Sequence, residues 1–269
     1  MSPLVHDAMG REVQLAPPAR RIVSLVPSQT ELLHDLGLDE EVVGLTTFCV
    51  RPPGWRARKA RLGGTKAVAR ERLLALHPDL VLANQEENTR EDVEWLAARV
   101  PVYVTRVATL DEALSMIRAV GTLVDRAACA DELAVAIAAG FAALANLPAR
   151  RAAYLIWRRP WMVAGGDTFI ADVMRRGGLV NVFADRPRYP AVDAAELRAA
   201  APELLLCSSE PFPFGSAHAR ELEVAVPGAR ALQVDGELFS WYGSRLRYTP
   251  DYLRRLALPG PPAGATLPM

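Results

Sequence analysis

Lysine is almost missing from this 269-residue chain: of 31 basic residues, only Lys59 and Lys66 are lysines. Neither sign of charge is in excess, because 31 acids balance the 31 bases. That excludes the large net field by which nucleic-acid or membrane-surface binders gather their partners. Cysteine is scarce too. Cys49, Cys129 and Cys207 share no C-x-x-C spacing and are odd in number, so neither a zinc cluster nor a disulfide framework is indicated, and all three are expected to be small buried hydrophobes. No stretch of about 18 apolar residues exists to cross a membrane as a helix. No G-x-G-x-x-G follows a strand pattern and no P-loop is present; GGTK at 63–66 reads as a turn. His6, His34, His77 and His218 stand apart without H-E-x-x-H spacing, and no G-x-S-x-G elbow offers an activated serine. The sequence therefore expects no metal site and no catalytic residue.

What is present is an ordinary globular composition, 51% hydrophobic and 23% charged, long enough for one large core or two. REVQL (11–15) alternates like an edge strand. RIVSLVP (21–27) reads as a buried strand, and SQTELLHDLGL as a helix capped by Ser28 with Glu31 closing a capping box. Strand patterns at 41–47, 79–83 and 101–107 then alternate with helical patterns at 69–76, near 89–100 and at 110–125, which argues for a parallel, helix-covered sheet. Residues 127–146 break the rhythm as one long Ala-rich helix. The alternation resumes with strands at 152–157, 203–208 and 229–234 and helices at 168–177 and 249–258. The expected fold is α/β, with two lobes of mainly parallel sheet (1–125 and 148–269) joined by a single backbone helix (126–147).

One unit appears twice. RERLLALHPDLVLA (70–83) and AAELRAAAPELLLCS (194–208) each open on a glutamate, close on a Pro-acid pair and run into a strand. The glutamates are Glu71 and Glu196, equivalently placed on two lobes if the repeat is structural. A second feature is a set of aromatic and arginine residues in loops that follow strands: Phe48 and Arg51, WRRPW with Trp157 and Trp161, RPRY (186–189), PFPFG (211–215), and FSWYGSR with Trp241, Tyr242 and Arg245. Ligands of open α/β sheets bind outside the carboxyl ends of strands. Aromatic walls with guanidinium forks suit a planar or chelated anionic ligand.

The order RIVSLVPSQTELLHDLGL, VVGLTTFCVRPP, LGGTKAVARERLLALHPDLVLA, GGLVNVF and AAELRAAAPELLLCS resembles the substrate-binding proteins of ABC importers for vitamin B12 and ferric siderophores, over about residues 11–256. The resemblance implies a helical-backbone, two-lobed receptor with a metal chelate held between its lobes. Phe48, Trp157, Trp161, Trp241 and Tyr242 would be the walls, and Arg51 and Arg245 the charge partners. It implies that Glu71 and Glu196 dock onto an ABC permease. Thr65 and Asn84 stand where the B12 binders place tryptophans, so the choice between a corrinoid and a ferric siderophore stays open.

The function expected is a non-enzymatic, monomeric receptor with no covalently bound cofactor and no nucleic-acid partner. The alternative is a cytoplasmic two-lobed enzyme handling corrinoids or metal chelates, of chelatase type. Residues 1–21 lack the basic and apolar regions of a secretory signal, which taken alone expects a cytoplasmic chain. The resemblance implies a periplasmic or other extracytoplasmic one.

Overall fold

A computed structural model describes residues 4–257. Leu258, the expected end of the last helix, and the outer limits of the expected lobes lie outside the described residues. The chain divides into two compact units. The first comprises residues up to Val107, Asp111–Ala136 and the short segment Tyr242–Arg245; the second comprises Ala108–Leu110, Ile137–Trp241 and Leu246 onward. The long Ala-rich helix runs Ala127–Ala142, and the division falls inside it, between Ala136 and Ile137.

In the first unit five parallel strands form one sheet, ordered Ala60–Arg61, Val42–Leu45, Ile22–Ser24, Leu80–Asn84 and Val102–Thr105. Ile22, Val23, Val81, Leu82 and Val104 are buried, as expected of strands covered on both faces. The edge-strand pattern near the start becomes Glu12–Gln14, paired antiparallel with Leu4–His6. In the second unit Arg150–Trp157, Leu204–Ser208 and Arg230–Val234 run parallel, and Leu179–Asn181 joins them in the same sense. An antiparallel edge of Trp161–Val163 and Ala191–Val192 completes that sheet. WRRPW is therefore the turn of a tight hairpin, where the sequence suggested an open loop. Among the described residues no helix is long and apolar enough to cross a membrane.

Two expectations are corrected. The helix predicted to start at Ser28 runs Pro27–Asp35 with Val26 as an uncapped N-cap, so the Ser28–Glu31 capping box does not form. Proline at the first helical position needs no N–H partner, which moves the start one residue back. Of the three cysteines, Cys49 and Cys207 are buried but Cys129 is exposed, on an outer turn of the Ala-rich helix.

The duplicated unit is structural and more extensive than its glutamates. At a constant offset of 124 residues, Val68 matches Val192, Leu73 matches Leu197, Pro78 matches Pro202 and Leu80 matches Leu204, and all of these are buried. The residue before each proline, His77 or Ala201, has positive φ (47° and 44°), an unfavourable conformation for a residue with a Cβ. Each such corner is held by an arginine from the start of the unit's first sheet strand. Arg21 donates through Nη2 to the Leu76 carbonyl (2.6 Å) and through Nε to that of His77 (3.2 Å). Arg151 does the same to Ala200 (2.5 Å) and Ala201 (3.1 Å). The acid after each proline completes the clamp: Asp79 accepts from the Arg20 and Arg21 amides and Glu203 from the Arg151 amide. The signal that reveals these clamps is the Arg-Arg pair opening RRIVSLV and RRAAYLI.

Candidate functional site

In the first unit the strand Val42–Leu45 releases the chain into a loop whose interior is fixed by polar contacts. The Cys49 thiol lies 3.0 Å from Thr30 Oγ1 and 3.2 Å from Thr46 Oγ1, and burial holds its pKa above the usual thiol value. With Cys49 pinned, the adjacent Phe48 turns outward, 60% exposed, its ring edge over Gly64. Arg51, three residues on, is half-buried. Beside this loop, Asn84 is a hub. Its Nδ2 donates to the Thr105 carbonyl and hydroxyl (both 3.1 Å), and its Oδ1 accepts from the Glu86 and Glu87 amides (2.8 and 3.2 Å). Asn88 in turn donates to the Thr65 carbonyl (3.0 Å). Asn84 and Thr65 thus order the loop after the strand and are buried, so neither offers a wall to a ligand.

In the second unit the structure brings WRRPW and PFPFG together. Trp157, 41% exposed, meets Phe212 edge-on at 5.8 Å between centroids; Phe212 continues to Phe214 at 4.9 Å and to His218 at 5.2 Å. Trp161 is half-buried against the core that contains Leu155, Val163 and Phe214. His218 Nδ1 accepts from the Gly215 amide (2.9 Å), which holds the ring at the start of its helix. His218 is an addition that the spacing of PFPFG did not single out.

Three expected ligand contacts sit elsewhere. Trp241 is only 7% exposed and its indole N–H donates to Glu210 Oε1 (3.0 Å). Tyr242 is likewise buried. Arg245, expected as a charge partner of the ligand, grips Glu31 with Nε on Oε2 (2.8 Å) and Nη2 on Oε1 (2.5 Å), both residues under 10% exposed. A fork closed on a buried carboxylate is not open to a second anion.

Glu210 also accepts from Ser240 Oγ (2.7 Å). Burial pushes its carboxyl pKa up, against the two hydrogen bonds that pull it down. Its contribution to stability is fully present below its unfolded pKa and is lost as pH rises through its folded value. Thermal unfolding across that window should show stability falling with pH, and Glu210→Gln should flatten the slope. An unchanged slope would remove Glu210 as its source.

The two repeat glutamates differ. Glu71 is exposed on the short helix Arg70–Leu74, and its carboxylate has no ion pair among the described residues. Glu196 is the third residue of the helix Ala194–Ala200, reciprocally capped with Asp193 and paired with Arg186 Nη2 at 2.8 Å. The Asp193 amide and then Arg186 hold its carboxyl below the usual pKa. In the strict register of the repeat, Glu71 matches Ala195 and Glu196 matches Arg72. The glutamates are one residue out of phase, a rotation of roughly 100° about a helix axis.

Among the described residues no group of three or more His, Cys, Asp or Glu could hold a metal ion. Residues 22–223 match the family described as periplasmic binding protein. The vitamin B12-binding protein of Pectobacterium carotovorum is 25% identical over 237 residues, 84% of each chain. Among solved structures, a possible iron-binding (periplasmic solute-binding) protein of Staphylococcus epidermidis is similar at 25% identity and TM-score 0.75, covering 88% of this chain and 98% of that one. The periplasmic heme-binding protein RhuT of Roseiflexus sp. RS-1 shares the fold, with TM-score 0.77 at 24% identity and coverage of 89% and 97%.

Proposed function

We propose, since the chain belongs to the periplasmic binding protein family, that it is the extracytoplasmic substrate-binding component of an ABC importer and that its substrate is a metal chelate. The observation that carries the chelate is the outward aromatic surface at strand ends: Phe48 on the first unit, Trp157 and Phe212 on the second. Aromatic faces gain stacking and burial from a flat or macrocyclic ligand without contributing donor atoms to its metal. The relatives named for vitamin B12, iron and heme all handle metal-centred compounds. A corrinoid and a ferric siderophore both suit this surface. Arg51 lies three residues from Phe48, and Trp161 shares the hairpin of Trp157.

Titration of cobalamin and of ferric siderophores against tryptophan fluorescence tests the reading. One chelate should quench the parent, and Trp157→Ala should weaken its binding roughly tenfold or more while leaving the fold intact. A folded protein quenched by none of them would overturn the chelate assignment.

Glu71 and Glu196 are proposed to dock on a permease, where exposed carboxylates set register against a basic partner. Their different settings predict different side effects. Glu196→Ala should lower the melting temperature, since the cap and the Arg186 pair are lost, whereas Glu71→Ala should not. Replacing both by arginine should abolish uptake with chelate binding retained; uptake at the parent rate would refute docking through them.

A further inference from the structure

The balanced total charge conceals a concentrated one. On the first unit a hollow of about 550 Å³ is lined by Arg56, Ala57, Lys59, Arg61 and Arg72, four of its five residues cationic. Local acids account for little of this. Asp39 takes Arg58 at 3.0 Å and lies 3.7 Å from Lys59 Nζ, which also donates to the Asp39 carbonyl. Lys59 is further fixed over the Trp55 ring at 5.5 Å. Arg56, Arg61 and Arg72 are exposed and have no carboxylate partner among the described residues. They come from three elements: the helix Trp55–Arg58, the edge strand Ala60–Arg61 and the helix Arg70–Leu74. Three guanidinium groups converging on one concavity repel one another, and no carboxylate among the described residues pairs with them. An external polyanion would.

We propose that this hollow binds the phosphate groups of anionic membrane lipids. Guanidinium forks match phosphate oxygens bidentately, and a concave site lets several forks meet one headgroup or adjacent ones. The choice of lipid rests on the receptor reading: Glu71 and Arg72 share the five-residue helix Arg70–Leu74, so docking of that helix on a permease brings the hollow within reach of the bilayer. Within a Debye length of about 8 Å, a basic residue near an anionic leaflet gains close to 1 kcal/mol. Three such residues amount to roughly a hundredfold in binding.

The test is flotation of the full chain with vesicles of phosphatidylcholine alone or doped with phosphatidylglycerol, at low and high salt. These vesicles hold neither permease nor chelate, so the result is independent of whether the receptor reading survives its own titration. The parent should float only with the doped vesicles and only at low salt. R56Q/R61Q/R72Q should lose roughly a hundredfold in affinity, while the charge-matched R99Q/R198Q/R220Q, whose arginines lie outside the hollow, should lose much less. Circular dichroism melting checks that both variants fold. Equal loss in the two variants would overturn the site in favour of diffuse attraction. Binding of inorganic pyrophosphate through the three arginines without vesicle binding would overturn the lipid assignment.

Discussion

Arg245→Met should destabilise the protein by about 3–5 kcal/mol, because it leaves the Glu31 carboxylate buried without its cation. The helix Pro27–Asp35 holds Glu31 at 9% exposure, and Arg245 reaches it from 214 residues away with both ends of its fork engaged. Natural domains have about 5–15 kcal/mol of stability in all, so the loss takes a large share of it. Removing both charges at once is a different experiment. Glu31→Leu with Arg245→Met takes away the pair together with its desolvation penalty, and should recover most of the loss. Urea unfolding of the parent, two single variants and double variant gives the coupling directly. Single variants as stable as the parent would mean that the pair does not hold the segment Tyr242–Arg245 in place.

The second large effect is expected at Gly166. A Cβ there would lie 2.0 Å from the Ala184 carbonyl oxygen and 2.8 Å from its carbon; at Gly165 it would lie 2.2 Å from the Arg186 oxygen. These are backbone atoms, so no side-chain rotation relieves the clash. The segment must retreat, although it is tied on by Gly165 N to Arg188 O (2.7 Å) and Gly166 N to Arg186 O (2.9 Å). Overpacking costs about 1–3 kcal/mol where neighbours can shift, and this site belongs at or beyond the upper end. Gly166→Ala should also move Arg186 off Glu196, so that a later Glu196→Ala costs little more. Gly215→Ala, whose new methyl would meet only the His218 ring at 4.0 Å, should be tolerated. Equal melting temperatures for G166A and G215A would contradict the close-approach argument.

How much of this was legible beforehand depended on the range of the interaction. Buried strands such as Ile22–Ser24 and Leu204–Ser208 announce themselves through apolar runs, and the Ala-rich helix through its uninterrupted length. The aromatic groups after strands were visible as a set, and Trp157 and Phe212 do meet. What sequence misled on was partnership. Ser28 and Glu31 have the spacing of a capping box, but Glu31 is claimed by a residue at the other end of the chain. Arg245 misleads for the same reason: a lone arginine in an aromatic loop reads as available until its carboxylate is found. The glutamates of the repeat looked equivalent because only one feature was aligned; the buried Val, Leu and Pro positions set the true register, one residue away.

The segment Tyr242–Arg245 also has a consequence in time. During synthesis the helix bearing Glu31 emerges early, while its cation is 214 residues from being made. At about 5–20 residues per second, the interval is on the order of ten to forty seconds. Throughout it, the first unit holds an acid whose native seat is incomplete. The unit that begins first is therefore unfinished until Arg245 is made, and a ribosome stalled anywhere before codon 245 carries an incomplete form of it.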